Sequence, residues 1–254
     1  MASAVSDAVL RTKGLSRNFG GLAAVTDVSL ECHVGRLHAV IGPNGAGKTT
    51  LLNLLSGDLS PSAGRIEILG HEVGRLAAHR ISQLGVGRSY QRTNVFMRFT
   101  AFENCRLAAQ SRLPSSMRFV RPAARYGAVN EAAANALALA ELEGRGDRIA
   151  ADLSHGERRQ LEVAMTLATN PKVLLLDEPL AGMGAEESAR MVELLHKLAP
   201  RHAMLLVEHD MDAVFALADT LTVMVDGKVL ASGPPAQVRA NDEVQNAYLG
   251  ESDD

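Results

Sequence analysis

The sequence has 254 residues, 46% of them hydrophobic, which is enough to bury the core of one large α/β domain or two small lobes. A formal net charge of −3 gives no general attraction to nucleic acid, so we expect no nucleic-acid partner. Two widely separated cysteines favour a reducing compartment over a disulfide framework, and the lack of a signal-peptide pattern or a membrane-length apolar run leaves membrane contact to partner subunits.

The first part of the chain predicts two strands and then a phosphate-binding loop. Strand-like runs lie around Val9–Leu15 and Val25–Val34, and the second alternates apolar and polar residues with the period of a half-buried strand. The apolar run Leu37–Ile41 is typical of a buried strand and leads into the Gly-rich stretch Gly42–Thr50. The leucines that follow predict one face of a helix, so the Gly-rich stretch lies at a strand-to-helix turn.

The Gly-rich stretch reads Gly42-Pro43-Asn44-Gly45-Ala46-Gly47-Lys48-Thr49-Thr50 and matches the pattern G-x-x-x-x-G-K-[ST]. Its glycines allow successive backbone N–H groups to point inward, and the helix N-terminus adds its positive end. Lys48 can then reach the β- and γ-phosphates of a nucleotide, and Thr49 can offer its hydroxyl to Mg²⁺. A chance Gly-rich turn is the alternative, but the flanking strand and helix favour nucleotide binding.

The middle of the chain changes character after a predicted strand that ends at Gln91. From Arg80 to Arg125 there are nine arginines, no lysine and one acid, together with four of the six phenylalanines. Prolines interrupt this segment, and an Ala-rich helix is predicted from Glu131 to Leu142. We therefore expect residues 92–150 to form a mostly helical lobe inserted into the α/β domain.

The α/β pattern returns in the second half of the chain. Two continuous apolar runs, Val173–Leu176 and Met204–Val207, are typical of parallel strands buried on both faces. Apolar residues at helical spacing predict helices before, between and after them. Asp226-Gly227 between two strand-like runs is a strong hairpin signal, and Val238–Leu249 predicts a closing helix.

Two carboxylates, Asp177 and Glu178, end the first of these apolar strands. Beside a phosphate loop, Asp177 suits a residue that supports Mg²⁺, and Glu178 suits a group that orients a water for attack on the γ-phosphate. An acidic surface turn after a strand is the alternative, which would be preferred without the upstream phosphate loop.

The segment Leu153–Gln160 predicts the start of a helix. Ser154 is a typical N-cap and Glu157 completes a capping box, which accounts for both residues without any ligand. Because the segment precedes the carboxylate strand, its helix N-terminus could instead supply N–H donors to a phosphate.

Taken together, these motifs resemble the ATP-binding subunit of an ABC transporter over essentially the whole chain. The phosphate loop, Leu-Ser-x-Gly-Glu from Leu153, the strand with Asp-Glu and the histidine of Val207-Glu208-His209-Asp210 have the order and spacing of that family. The resemblance implies an α/β P-loop NTPase of ABC type, with a mixed-sheet core, an antiparallel β lobe and an inserted helical lobe. It implies a single nucleotide-binding domain, 1–254, composed of an α/β core at 8–91 and 151–234, a helical lobe at 92–150, and a C-terminal helix and tail at 235–254.

The resemblance also implies two ligands, ATP and Mg²⁺, bound between two domains that close head to tail. The expected ATP contacts are Phe19 stacked on adenine, Val25 nearby, and Gly42, Asn44, Gly45, Ala46, Gly47, Lys48, Thr49 and Thr50. The expected metal contacts are Thr49, Gln91 and, through water, Asp177. The expected catalytic residues are Glu178 as general base or water-orienting group, Lys48, and His209 as sensor of the γ-phosphate. The expected contacts to the ATP of the other subunit are Ser154, His155, Gly156 and Glu157.

Some of these residues have structural alternatives or depart from the family pattern. Phe19 could be a core aromatic, Gln91 a polar strand end, and His209 a surface histidine before a helix. His155 stands where glycine is usual and adds bulk and a titratable group near the partner's ATP. Gly184 stands where an acid or asparagine usually crosses the dimer interface, so that side-chain contact is missing.

Three stretches, 19–25, 206–211 and 247–251, resemble the ATPases of branched-chain amino acid uptake systems. Leu-Ser-His-Gly and Ala-Gly-Met are also similar to urea-uptake ATPases, and a lipopolysaccharide-export ATPase or a non-transport ABC module are further alternatives. The importer resemblance implies a second ABC ATPase subunit, identical or related, and two transmembrane permease subunits. It also implies an indirect link to a periplasmic or extracellular solute-binding protein, and a peripheral position on the cytoplasmic face of the inner (plasma) membrane.

The Arg- and Phe-rich stretch has two alternative uses. In the family, the region after the glutamine forms a groove that receives a short cytoplasmic helix of the membrane subunit. Phe96, Phe99 and Phe102 could then be apolar anchors, while the arginines pair with acids or anionic headgroups. A phenylalanine core inside the lobe, with a solvated basic face, is equally consistent with the pattern.

Overall fold

A computed structural model describes residues 8–89, 94–113 and 126–249 of the chain. Its strands are β1 (Leu10–Phe19), β2 (Leu22–Val28), β3 (Glu31–Cys32), β4 (Leu37–Ile41), β5 (Ala63–Ile68), β6 (His71–Glu72), β7 (Val86–Arg88), β8 (Val173–Asp177), β9 (Ala203–Val207), β10 (Thr220–Val225) and β11 (Lys228–Gly233). Its α-helices are α1 (Lys48–Ser56), α2 (Ala78–Leu84), α3 (Ala101–Gln110), α4 (Gly127–Leu139), α5 (His155–Ala168), α6 (Ala185–Leu198), α7 (Met211–Leu217), α8 (Pro235–Arg239) and α9 (Asp242–Leu249). Short 3₁₀ turns lie at Glu143–Arg145, Ala150–Asp152 and Ala199–Arg201.

The main sheet has the strand order β11-β10-β4-β9-β8-β7. All neighbours are parallel except β10 and β11, which form an antiparallel hairpin. Val40 of β4 lies opposite Val207 of β9, and Val207 lies opposite Asp177 of β8. The three strands therefore end at the same edge, where the phosphate loop and the turns after β8 and β9 meet.

The central strands are buried on both faces, as their continuous apolar sequences predict. Alternate residues of each strand enter different hydrophobic clusters: Leu174 and Leu176 of β8 belong to one, and Val173 and Leu175 to the other. The first cluster is completed by buried side chains of α3, α4, α5, α6 and α7. The second is completed by α1, α2 and a smaller antiparallel sheet.

The smaller sheet has the order β2-β1-β5-β6, with β3 also pairing with β1. All of its pairings are antiparallel. The mixed sheet and antiparallel lobe expected for this chain are thus both present.

The predicted strand at 25–34 is wrong as a single strand. It divides into β2 and β3 at Ser29 and Leu30, where the hydroxyl of Thr12 in β1 donates to the carbonyl of Val28 (3.0 Å) and accepts from the N–H of Leu30 (3.0 Å). Val28 and Cys32 remain buried as the alternation predicts, but Val34 lies in the turn before β4 and is 39% exposed.

The C-terminal part of the fold confirms one prediction and corrects another. Asp226 and Gly227 both have positive φ (49° and 76°) and connect β10 to β11 as a two-residue hairpin. The single closing helix predicted from Val238 is wrong, because two helices, α8 and α9, occupy this region. The side chain of Asn241 separates them by accepting a hydrogen bond from the backbone N–H of Glu243 (2.8 Å), which begins the second helix.

Helices α3 and α4 lie in the stretch for which the sequence predicts a helical lobe. A capping box of Thr100 and Glu103 starts α3, and α4 begins at Gly127, four residues before the predicted start. Cys105 of α3 is buried in the first cluster and Cys32 of β3 in the second, and both are free thiols. Burial raises the pKa of each thiol to about 12, so both are inert apolar residues, as predicted.

One buried histidine links the main sheet to the smaller one. His38 of β4 has Nδ1 3.0 Å from the carbonyl oxygen of Glu31 and Nε2 2.7 Å from the hydroxyl of Thr222. A neutral ring that donates from Nδ1 and accepts at Nε2 satisfies both contacts. Burial lowers the pKa of His38 below its ordinary value of 6.5, so the folded protein favours this neutral form.

This histidine predicts a loss of stability in mild acid. The unfolded chain binds the His38 proton more readily than the folded chain, so the free energy of unfolding should fall as the pH drops from about 7.5 to about 5.5. We expect the His38→Gln variant to show a weaker pH dependence when urea unfolding is measured across this range. Replacement of the exposed His71 by Gln is the control and should retain the wild-type dependence. Equal slopes for all three proteins would contradict the prediction.

Candidate nucleotide-binding site

The phosphate loop follows β4, and its glycines are required by the surrounding backbone. Gly47 has φ 94° and is the N-cap of α1. A Cβ added at Gly47 would lie 2.3 Å from the carbonyl oxygen of Ala24, and one at Gly42 would lie 2.1 Å from that of Met224. The loop can therefore adopt this compact shape only with glycine at these two positions.

Lys48 occupies the first turn of α1, and its ammonium group lies within the loop. Its Nζ donates hydrogen bonds to the carbonyl oxygens of Gly42 (2.5 Å) and Pro43 (2.9 Å). The side chain is buried, so the charge is largely removed from bulk water. A cation held beside a helix N-terminus in this way is a site for phosphate oxygens.

A cavity of about 470 Å³ adjoins this loop. It is lined by Phe19, Leu22, Ala23, Ala24, Asn44, Gly45, Ala46, Gly47, Lys48, Thr49, Thr50, Glu178 and Asp226. The fold thus brings the predicted adenine-stacking residue, the phosphate loop and the predicted water-orienting glutamate to one cavity, although Glu178 lies far from the loop in sequence.

At the end of the cavity where the sequence predicts adenine, Val25 is not among the lining residues. Val25 is fully buried in the core and does not line the cavity, because its side chain points inward from β2. The exposed neighbour Leu22 (68%) lines it instead, beside Phe19 (43%). The guanidinium carbon of Arg17 lies 4.8 Å from the centre of the Phe19 ring, so this ring is an exposed platform rather than a core aromatic.

Asp226 is a cavity residue that the sequence analysis recognised only as part of a turn. The tip of its hairpin is bound to the phosphate loop, since the N–H of Gly227 donates to the carbonyl of Ala46 (3.2 Å). The carbonyl of Gly227 in turn accepts from the N–H of Thr26 in β2 (2.7 Å). The Asp-Gly signal predicts the turn, but no local pattern predicts that the turn packs against the loop.

Asp177 is almost fully buried at the end of β8. Its Oδ2 lies 3.7 Å from Arg88, whose guanidinium also donates to Asp58 (2.8 Å) and to the hydroxyl of Ser56 (2.6 Å). Burial raises the pKa of Asp177, and the charge of Arg88 opposes that rise. Asp177 Oδ1 has no hydrogen-bond partner among the described residues.

The unbonded oxygen, Asp177 Oδ1, shows whether the residues present suit a Mg²⁺ ion. A carboxylate oxygen without a hydrogen bond and the exposed hydroxyl of Thr49 are oxygen donors of the kind that Mg²⁺ prefers, so these residues fit the metal. Gln91, the other predicted ligand, lies outside the described residues.

The turns after β8 and β9 hold the predicted catalytic residues. Glu178 has a left-handed backbone (φ 48°), and its N–H donates to the carbonyl of Val207 (2.9 Å). His209 follows β9, its side chain is 64% exposed, and it does not line the cavity. Between them, Glu208 is fully buried (0% exposed), a feature that the sequence does not reveal because glutamate is rarely buried.

The start of α5 has the capping box that the sequence predicts. The Ser154 hydroxyl accepts from the N–H of Glu157 (3.1 Å), and the Glu157 carboxylate accepts from the N–H of Ser154 (2.9 Å). The backbone hydrogen bond from Ser154 and then the ion pair with Arg145 lower the pKa of Glu157. The N–H of Gly156 donates to Glu187 of α6 (3.1 Å), so a carboxylate already lies at this helix N-terminus.

These residues line a second cavity, of about 1130 Å³, which shares no lining residue with the first. Ser154, Gly156 and Glu157 are among its lining residues, together with Arg145 and Met183. Within one chain, the start of α5 therefore does not complete the cavity beside the phosphate loop.

The two departures from the family pattern lie beside this second cavity. His155 is exposed, and its Cε1 would lie 3.2 Å from a Cβ added at Gly182, so the ring rests on the turn before α6. Gly184 is the N-cap of α6 and provides no side-chain hydrogen bond. Glu186 and Glu187 in the first turn of α6 offset the missing side-chain cap, because their negative charges interact favourably with the helix dipole.

Among residues 8–89, 94–113 and 126–249, no helix has the length and hydrophobicity needed to cross a membrane. The same residues include no group of three or more histidine, cysteine, aspartate or glutamate side chains that could hold a metal ion.

Comparison with known proteins gives consistent matches over nearly the whole chain. The family model described as ABC transporter matches residues 25–181, and the model described as branched-chain amino acid ATP-binding cassette transporter matches residues 228–254. The chain is 38% identical to the high-affinity branched-chain amino acid transport ATP-binding protein BraF of Pseudomonas aeruginosa, over 98% of this chain and 100% of that protein. It is 36% identical, with the same coverage, to the corresponding protein LivG of Escherichia coli (strain K12).

A solved structure supports the same assignment. The ADP conformation of MJ1267, an ATP-binding cassette of an ABC transporter, matches with a TM-score of 0.86 and 28% identity, over 97% of this chain and 100% of that chain. The α/β P-loop fold of ABC type is thereby confirmed. Because a family model covers more than half of the chain and full-length relatives share more than a third of its residues, the chain belongs to the ABC transporter family of ATP-binding subunits and is an ATPase.

Proposed function

We propose that this ATPase energises the uptake of branched-chain or other amino acids through separate membrane subunits. The observation that carries the proposal is the match of residues 228–254 to the branched-chain amino acid model, joined to full-length relatives with that function in their names. These names favour amino-acid uptake over the urea-uptake, lipopolysaccharide-export and non-transport alternatives.

The first cavity supports a specific arrangement of ATP. The exposed ring of Phe19 stacks on adenine, with Leu22 beside it. The backbone N–H groups from Gly45 to Thr50 and the ammonium of Lys48 bind the phosphates. Because all of these groups line one cavity, a single nucleotide can contact them together.

The other end of the cavity supports hydrolysis. Glu178 orients a water and accepts its proton as that water attacks the γ-phosphate. Thr49 and, through water, Asp177 would hold Mg²⁺, which would supply positive charge to offset the negative charge of the phosphates. Gln91 remains a predicted ligand of the same ion. His209, at the same sheet edge but outside the lining of this cavity, would contact the γ-phosphate when the second subunit closes over the site.

The separation of the two cavities supports a site shared between two chains. Ser154, His155, Gly156 and Glu157 lie at the start of α5 and cannot reach the nucleotide of their own phosphate loop, since the two linings have no residue in common. The N-terminus of this 14-residue helix provides N–H donors and the positive end of its dipole. A second ATPase subunit, identical or related, would present these donors to the γ-phosphate.

A surface on the helical side supports contact with the membrane subunits. Phe96 and Phe99 are exposed, and their rings stack with centroids 5.5 Å apart. Buried Asn104 fixes their loop through bonds to the N–H (2.8 Å) and carbonyl (3.1 Å) of Phe96. Phe102 packs against the core, so it contributes to the lobe rather than to an exposed surface.

A groove of about 260 Å³ lies near this loop, between β7, α3 and α5, and suits a short helix of a permease subunit. Such docking would place the ATPase on the cytoplasmic face of the inner (plasma) membrane as a peripheral subunit. Two permease subunits and, through them, a solute-binding protein complete the proposed importer.

The role of Glu178 gives the first test of the mechanism. We expect Glu178→Gln to retain ATP binding and ATP-dependent dimer closure, while kcat for hydrolysis falls by about 10²- to 10⁴-fold, because the amide cannot accept the proton of the attacking water. Steady-state phosphate release and size-exclusion chromatography with ATP measure the two effects. Glu193→Gln, on the exposed face of α6, is the matched control and should keep full activity. Hydrolysis by Glu178→Gln at the wild-type rate would exclude the assigned role.

The shared site gives a complementation test. Lys48→Ala disables the phosphate-loop half of a site, and Ser154→Arg disables the half formed by α5, so each variant alone should be inactive. A mixed dimer retains one site with an intact Lys48 and an intact Ser154, so we expect mixing the two inactive proteins to restore part of the ATPase activity. Circular dichroism confirms that each variant is folded. No recovery, although the mixed dimers form, would contradict the shared site.

The transport role is tested by combining the chain with candidate permease subunits and a solute-binding protein of a branched-chain amino acid uptake system. In vesicles with ATP inside, we expect uptake of radiolabelled leucine that is lost in the Glu178→Gln variant. Uptake of urea without leucine uptake would replace the proposed substrate class, whereas co-purification with no transport activity would favour a non-transport role.

A further inference from the structure

Glu208 is a fully buried carboxylate that the proposed mechanism does not use. It follows β9 directly and is 0% exposed. Burial raises the pKa of its side chain, while hydrogen bonds from the backbone N–H groups of Leu180 and His209 favour the charged form. A buried charge is costly unless its hydrogen bonds are satisfied, so these contacts explain how a glutamate is tolerated in the interior.

The two carboxylate oxygens bond to two different turns. Oε1 accepts from the N–H of Leu180 (2.9 Å), which lies two residues after Glu178 on the turn that leaves β8. Oε2 accepts from the N–H of His209 (3.2 Å), on the turn that leaves β9. One side chain therefore fixes the backbone next to the predicted water-orienting glutamate and the backbone of the predicted phosphate sensor.

The main chain of Glu208 makes a third connection. Its N–H donates to the carbonyl of Val40 (3.4 Å), and Val40 lies two residues before the phosphate loop begins at Gly42. The turns after three neighbouring strands are thereby linked through a single residue. Leu180 also begins the loop that runs through Gly184 to α6, so the connection extends to the edge of the second cavity.

The chemistry of the two contacts requires a carboxylate. Both partners are backbone N–H donors, which cannot rotate to offer an acceptor. Glutamine would present one oxygen and one NH₂ group, so one N–H would face another donor. Aspartate is one methylene shorter and would reach fewer of these contacts.

We propose that Glu208 is a positioning residue for ATP hydrolysis: its buried carboxylate holds the backbone of Leu180 and His209 so that Glu178 and His209 face the γ-phosphate at the same time. The inference rests on the proposed roles of Glu178 and His209. Glu208 itself does not touch the nucleotide, since it does not line the ATP cavity.

The decisive variant is Glu208→Gln, examined in the full-length chain. We expect kcat to fall roughly 10- to 100-fold, because a displacement of about 1 Å at the reacting groups has an effect of that size. The dissociation constant for ATP, measured without turnover, should stay within twofold of wild type, because the phosphate loop and Phe19 are unchanged. Glu193→Gln is the charge-matched control and should leave both quantities unchanged.

A double-mutant comparison separates positioning from a general loss of stability. If Glu208 acts partly through His209, combining Glu208→Gln with His209→Ala should raise the activation free energy by less than the sum of the two single changes, because part of the effect of Glu208→Gln is already lost with the histidine. Additive losses, or a weaker ATP affinity that accounts for the whole change, would overturn the proposal. Wild-type kcat in Glu208→Gln would do so as well.

Two further variants cover the remaining outcomes. If Glu208→Gln does not fold, Glu208→Asp is judged by the same split between kcat and ATP affinity, and failure of both to fold would assign Glu208 to stability and reject the positioning role. Glu178→Gln is measured in parallel. Full activity of that variant would reject the proposed mechanism itself, whereas an inactive Glu178→Gln beside a fully active Glu208→Gln would reject this inference alone.

Discussion

The register of three adjacent parallel strands, β4, β9 and β8, determines where the reactive groups of this protein lie. Because Val40, Val207 and Asp177 lie side by side across the sheet, the chain leaves all three strands at the same edge. A slip of one residue in any pairing would turn its side chains to the opposite face and exchange the two hydrophobic clusters. The hydrophobic clusters on the two faces of the sheet therefore stabilise the register. The register in turn fixes the positions of the residues that follow these strands.

Charged side chains near this edge of the sheet form a connected group that includes the end of β8. Arg88 of β7 lies between Asp58, which follows α1, and Asp177, which ends β8, so one guanidinium serves two carboxylates that are far apart in sequence. Burial alone would favour a protonated Asp177, and the neighbouring cation counters that tendency. The buried carboxylate of Asp177 thus has its charge partly compensated by Arg88.

Local sequence predicted the parts of the fold that depend on local forces. The apolar runs predicted the buried parallel strands, and Asp226-Gly227 predicted the hairpin between β10 and β11. Ser154 and Glu157 predicted the capping box at the start of α5. The division of the second predicted strand at Ser29 and Leu30 escaped prediction, because hydrophobic alternation continues through these two residues although the strand does not.

The parts of the site that depend on long-range contacts were not predictable in the same way. Val25 was expected near the nucleotide because the family resemblance places it beside Phe19, yet its side chain is fully buried in the core. Asp226 reaches the phosphate loop only because its hairpin packs there, and buried Glu208 depends on a donor from the distant turn at Leu180 as well as on the N–H of its neighbour His209. The neighbouring sequence does not predict the contacts of such residues, since those contacts depend on the tertiary structure.

The hydrogen bonds from Lys48 to the carbonyls of Gly42 and Pro43 have a consequence for the energetics of nucleotide exchange. An arriving phosphate does not meet a hydrated ammonium group, because the ammonium has already given up much of its water to the loop. In the proposed role of Lys48, phosphate oxygens would replace two carbonyl oxygens, so the number of hydrogen bonds would change little and the gain would come mainly from the attraction of opposite charges. Departure of the product reverses this substitution, and the empty loop recovers its own internal bonds rather than leaving a buried charge unsatisfied.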